Sequence, residues 1–74
     1  MMMLNMLEKG HSAVITAIDA SKELKSRFNS FGIVKGAVVN VEQYSLAKQT
    51  MEIKINKTRM ALRFSEAERV EITE

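Results

Sequence analysis

The chain has 74 residues, the size of one small domain with no room for a second, and a chain this short buries only about 60% of the surface it exposes when unfolded. It has no cysteine and one histidine, which excludes a disulfide staple, a thiolate metal centre, a thiol nucleophile and a His-rich metal site. Apolar residues at 46% and charged residues at 27% give a globular balance, no apolar run approaches the roughly 20 residues that span a bilayer, and a thin core can hardly wall a substrate cleft. A binding or regulatory module is therefore the expectation.

The formal net charge is +2, too mild to announce a nucleic-acid partner by itself. It is unevenly spread: residues 1–63 carry ten basic and five acidic side chains, whereas 64–74 hold Glu66, Glu68, Glu71 and Glu74 against Arg69. The opening Met1-Met2-Met3-Leu4-Asn5-Met6-Leu7 is apolar but breaks at Asn5 and has no basic start. That does not fit a secretory signal, and an intracellular chain is expected. Its methionines are the right atoms for a soft-metal site, but side chains folding over the core are the simpler reading.

In chain order, His11 to Ile18 is rich in β-branched residues and reads as a strand. Ala13 and Ile15 share a face while Ile18 falls on the other, so a bulge near Thr16-Ala17 is needed to return Ile18 to the core. Ser21 is the predicted N-cap of a short helix, with Glu23 in its first turn and Leu24, Phe28 and Phe31 on one stripe. Gly32 stops the helix, and the expected Schellman ending brings Phe28 against Ile33. About ten residues of helix cannot stand alone, so packing must hold them. Lys35-Gly36 marks a turn. Val39 and Val41 then alternate with Asn40 and Glu42, Ser45 to Gln49 form a loop, and Met51, Ile53 and Ile55 alternate with Glu52, Lys54 and Asn56. A turn at Asn56-Lys57-Thr58 leads to Met60, Leu62 and Phe64 on one face. Ser65 to Glu68 has the spacing of a capping box, and Arg69 to Thr73 closes as a strand. Five short strands with one apolar face each predict a mainly β fold, curled into a small barrel with one helix between the first and second strands.

Three blocks then carry a resemblance. They are Leu4-x-x-Leu7-x-x-Gly10-x-x-Ala13-x-Ile15-x-x-Ile18, Arg27-Phe28-x-x-Phe31-Gly32-Ile33-x-x-Gly36-x-x-Val39, and Met60-Ala61-Leu62-Arg63-x-Ser65-Glu66-Ala67. Together they resemble the ferrous iron transport protein A family, FeoA, over nearly the whole chain. The resemblance implies an SH3-like barrel in its stand-alone form, with Gly10, Gly32, Gly36, Ala61 and Leu62 as its structural motif. It further implies a small cytoplasmic accessory to a membrane ferrous iron transporter that carries a cytosolic GTP-binding domain. Lys9, Gln49-Thr50 and Asn56 depart from the family pattern. The first two stand where proline is common, and Asn56 where glycine is, although Asn tolerates a left-handed turn.

No residue demands a catalytic, metal or cofactor role, so a non-enzyme without cofactor is expected. His11 lacks a second histidine. Gly32 and Gly36 follow a helix rather than precede one and lack the G-K-[ST] of a phosphate loop. The candidate partner-binding residues are Lys22, Lys25, Arg27 and Lys35, off the apolar stripe of the helix and in the turn after it, with Glu23–Arg27 the one intrahelical pairing. The alternative is a nucleic-acid-binding or transcription-associated barrel that uses Lys54, Lys57, Arg59 and Arg63. Such a face usually adds exposed aromatics, and Tyr44 is the lone candidate if Phe28, Phe31 and Phe64 are core.

Overall fold

The structure, a computed structural model, describes residues 1–74. Six strands form one antiparallel sheet: β1 (Met2–Met3), β2 (Ser12–Ile18), β3 (Val38–Tyr44), β4 (Thr50–Ile55), β5 (Thr58–Arg63) and β6 (Val70–Thr73). Helix α1 (Lys22–Ser30) lies between β2 and β3, a one-turn helix α2 (Phe64–Ala67) precedes β6, and a 3₁₀ turn spans Leu4–Met6. The sixth strand is an addition to the expected five: Met2 and Met3 pair with Ile72 and Glu71, so part of the methionine cluster is sheet. Spatial order is β1-β6-β2-β3-β4-β5. The ladder therefore does not close on itself, and β1 and β5 remain its edges.

The inward face follows the alternation. Ala13, Ile15, Val39, Val41, Met51, Ile53, Ile55, Leu62, Val70 and Ile72 join Leu4, Leu7, Phe28, Ile33 and Ala67 in one buried cluster. Two irregularities tune it. Pairing of β2 with β6 slips between Ile15 and Ala17, the expected bulge, and Ile18 packs against the core. A second slip, between Val41 and Gln43 of β3, was not anticipated. The extra residue puts Tyr44, three positions after Val41, on the inward side opposite Met51.

Helix α1 starts as expected, with the Leu24 N–H donating to Ser21 Oγ at 3.2 Å. It ends in the predicted Schellman motif: Gly32 has φ +83°, its N–H reaches the Asn29 carbonyl at 3.1 Å, and the Ile33 N–H reaches the Phe28 carbonyl at 2.9 Å. Phe28 and Ile33 are fully buried. Phe31 is not core: at 47% exposure it is the C-cap residue, one position past Ser30, where the chain already turns away. Phe64 is half-buried and opens α2 rather than ending β5. The cap of α2 also differs from expectation. Arg63 is the N-cap residue, and its N–H donates to Glu66 Oε1 at 3.0 Å, so Ser65 caps nothing there. Asn56 and Lys57, at φ +49° and +72°, form the two-residue turn between Ile55 and Thr58 that a right-twisted hairpin favours. Of the motif residues on β5, Leu62 is buried and Ala61 is exposed, so Ala61 is not held there by packing.

Two substitutions test this architecture. A Cβ at Gly32 would have room, its nearest neighbour being Ile55 Cγ2 at 3.8 Å, so Gly32→Ala probes backbone strain alone. It is expected to cost about 1–3 kcal/mol in urea unfolding, and a melt like the parent's would refute the helix ending. Ile53→Asp places an unpaired charge at a fully buried position and is expected to cost several kcal/mol, read as loss of folded circular dichroism. A cooperative melt like the parent's would place Ile53 outside the core.

Candidate docking groove

The chain between Ile15 and Lys35 folds into a shallow groove. Because the bulge at Thr16 turns Ala17 outward and Ile18 back toward the core, β2 leaves an apolar ledge. The Schellman ending then directs the chain so that Ile33 and Val34 complete the floor opposite α1. Thr16, Ala17, Ile18, Lys25, Asn29, Ile33, Val34 and Lys35 line this space, which measures about 400 Å³. Its back wall is fixed, since Thr16 Oγ1 donates to the Glu71 carbonyl at 3.2 Å and to Glu71 Oε2 at 3.1 Å. Of the four sequence candidates, Lys25 and Lys35 thus meet at one groove. Neither forms an ion pair, so two free ammonium groups flank an apolar floor.

The other two separate from them. Lys22 is exposed but does not line the groove. Arg27, expected to be almost free, instead pairs with Glu66 of α2. Within helical reach of Arg27 the sequence offers only Glu23, and the true partner lies 39 residues away. Burial alone would raise the Glu66 carboxyl, but the Arg63 N–H, the Arg27 hydrogen bond and the charges of both arginines outweigh it and hold it below the ordinary value. Asn29 and Thr16 were not singled out. Asn29 sits one helical turn beyond Lys25, and Thr16 at the anticipated bulge, so both signals were present.

The alternative site changes too. The Tyr44 hydroxyl donates to the Leu7 carbonyl and reaches the Asn5 carbonyl at 3.3 Å. Its ring tilts against Phe64 with centroids 6.2 Å apart, and burial raises its pKa. It is a brace rather than a stacking platform. Arg59 lies 3.5 Å from Glu42 and 4.0 Å from Glu52, which tempers the basic strand pair. His11 sits between carboxylates, with Nε2 3.7 Å from Glu8 and Nδ1 3.3 Å from Glu74. Opposite ring nitrogens face the two acids, so the three do not converge, and no group of three or more His, Cys, Asp or Glu side chains is placed to hold a metal ion. No helix is long and apolar enough to cross a membrane.

The FeoA domain profile matches residues 2–74. The chain belongs to the FeoA domain family. A Campylobacter jejuni relative named for Fe(2+) transport, as transport protein A, is 35% identical over 96% of both chains. The zinc-complexed FeoA of Stenotrophomonas maltophilia, described as an SH3 domain protein and a candidate activating factor for ferrous iron transport, superposes with a TM-score of 0.86. It is 30% identical, with 99% of this chain and 91% of that one covered. The solution structure of FeoA from Chlorobium tepidum gives a TM-score of 0.90 at 27% identity, covering 96% of this chain and 68% of that one. The expected SH3-like fold of the FeoA domain is thus the fold seen here, with one strand more than the alternation revealed.

The Glu66 carboxylate, held by the Arg63 N–H and by Arg27, gives this FeoA domain a pH signature. The Glu66 carboxyl titrates lower in the folded state, so its contribution is fully present above the unfolded-state value of about 4.3 and is lost as pH falls through the lower folded value. Glu66→Gln is expected to cost on the order of 1 kcal/mol at pH 7 and to narrow that gap at acid pH, read from urea midpoints between pH 7 and pH 2. A constant gap would show that the carboxylate does not hold α2.

Proposed function

We propose that this chain is an accessory of ferrous iron uptake with no chemistry of its own, docking through the α1–β2 groove on the cytosolic GTP-binding part of a membrane ferrous iron transporter. The observation that carries the reading is the convergence of Lys25 and Lys35, both without an acidic partner, on an apolar floor. An apolar floor supplies burial for a partner side chain, and flanking ammonium groups favour acidic neighbours and fast encounter. Membership of the FeoA family, and the iron-transport names its relatives carry, support ferrous iron uptake as the process. A depression on the other side of Thr16 is bordered by Glu71 and Glu74 and would repel the same partner. The nucleic-acid reading is the less favoured, because Tyr44 is spent on Leu7 and Phe64.

The test is the double reversal Lys25→Glu/Lys35→Glu in cells that depend on ferrous iron uptake, with binding to the transporter's purified cytosolic part measured in parallel. Charges at a rim act mainly on association, so binding is expected to weaken by about tenfold or more and to lose much of its salt dependence. Uptake should fall while the melt stays unchanged. Full uptake by a folded double variant would move the docking surface elsewhere.

A further inference from the structure

The β5 edge carries an inference that is independent of the groove. Ile55 and Thr58 flank a two-residue turn, so they form a hydrogen-bonded pair, and bonded pairs must recur at every second position. Ile53–Met60 and Leu62–Met51 continue the series. The next step is seen directly as the Phe64 N–H on the Gln49 carbonyl at 2.8 Å. The backbone groups of Arg59, Ala61 and Arg63 therefore point away from β4. Glu66 takes the Arg63 N–H, but no other strand lies beyond β5, and Arg59 and Ala61 make no bond elsewhere.

Sheet edges are ordinarily guarded by long charged side chains. Here the guard is displaced. The Arg59 guanidinium reaches back across the sheet to Glu42 and Glu52, and the next outward residue, Ala61, has no reach. Alanine is a poor strand former, and at this exposed position packing does not call for it. What it does provide is close access to the free N–H and C=O groups on either side. Lys57 in the turn and Arg63 at the far end are exposed and their side chains form no ion pair; the Glu66 carboxylate beside the Arg63 N–H is itself held by Arg27, so the open stretch lies between two cationic side chains.

We propose that β5 accepts an extended, acidic segment of a partner protein as a seventh strand, bonded to the backbone of Arg59 and Ala61 and flanked by carboxylates near Lys57 and Arg63. Charge selects this occupant over a second copy of the chain. Antiparallel pairing of two β5 strands centred on Ala61 would set Arg59 of each opposite Arg63 of the other, and like charges directly opposed are unfavourable. Main-chain bonds supply affinity in this mode, and alternate side chains supply selectivity.

The probe is a blocked decapeptide of alternating Glu and Val, with the Lys–Val decapeptide as control, added to the intact protein. Amide exchange is expected to slow at Arg59 and Ala61 with the acidic peptide and not with the basic one. Ala61→Pro removes an N–H the sheet does not use and suits an edge, and Ala61→Glu restores a charged guard of the sign that repels an acidic strand. Each should weaken peptide binding by about tenfold without loss of the folded amide spectrum, and Ala61→Glu carries the test if the proline variant fails to fold. Unchanged exchange at these two amides, or equal binding by a folded variant, overturns the proposal. So does a concentration-dependent dimer that protects the same amides without peptide, since a second copy would then be the occupant.

Discussion

Two extra residues, one in β2 and one in β3, decide how this sheet meets its core. A strand of strict period two sends every second side chain outward, and on that rule both Ile18 and Tyr44 would face solvent. The slips between Ile15 and Ala17 and between Val41 and Gln43 each reverse the parity once. Ile18 returns to the core, and Tyr44 is brought within reach of the Leu7 carbonyl. A thin core gains two side chains in this way, and each bulge also bends its strand, which lets six short strands wrap around one apolar cluster.

The ladder nonetheless stays open, and the gap between its edges is filled by short non-sheet pieces. The 3₁₀ turn contributes Leu4, with Leu7 just beyond it, and α2 contributes Ala67; all three are buried. Polar contacts then hold these pieces in place: Tyr44 binds the backbone at Leu7, Glu66 caps α2, and Arg27 ties α1 to that cap. None of these contacts is large alone. Small domains are only marginally stable, so each one sets whether a segment is docked or frayed.

The same constraint separates structural from available charge. Arg27 and Arg59 are engaged with Glu66 and with Glu42 and Glu52, while Lys25 and Lys35 stand free beside an apolar floor. With a formal charge of only +2, the whole-molecule field is weak, so recognition has to rest on where the unpaired cations sit relative to apolar surface and open backbone.

Features governed by neighbouring residues were legible in the sequence. The alternation of β4, the Ser21 cap, the Gly32 ending, the Asn56-Lys57 turn and the bulge at Thr16 each depend on dihedral preferences and spacings within a few residues. Lys25 and Lys35 could be named as candidates, because the helical stripe left them outside. Only the tertiary structure decided the rest: that Met2–Met3 is a strand, that Phe31 is exposed, that Tyr44 is a brace, that Arg27 belongs to Glu66, and that Ala61 lies on an open edge. The physical reason is the same in each case. These outcomes turn on which residue, tens of positions away, comes to lie alongside, and a parity change of one residue in a strand leaves no mark on composition or local pattern when both choices are compatible with the alternation around it.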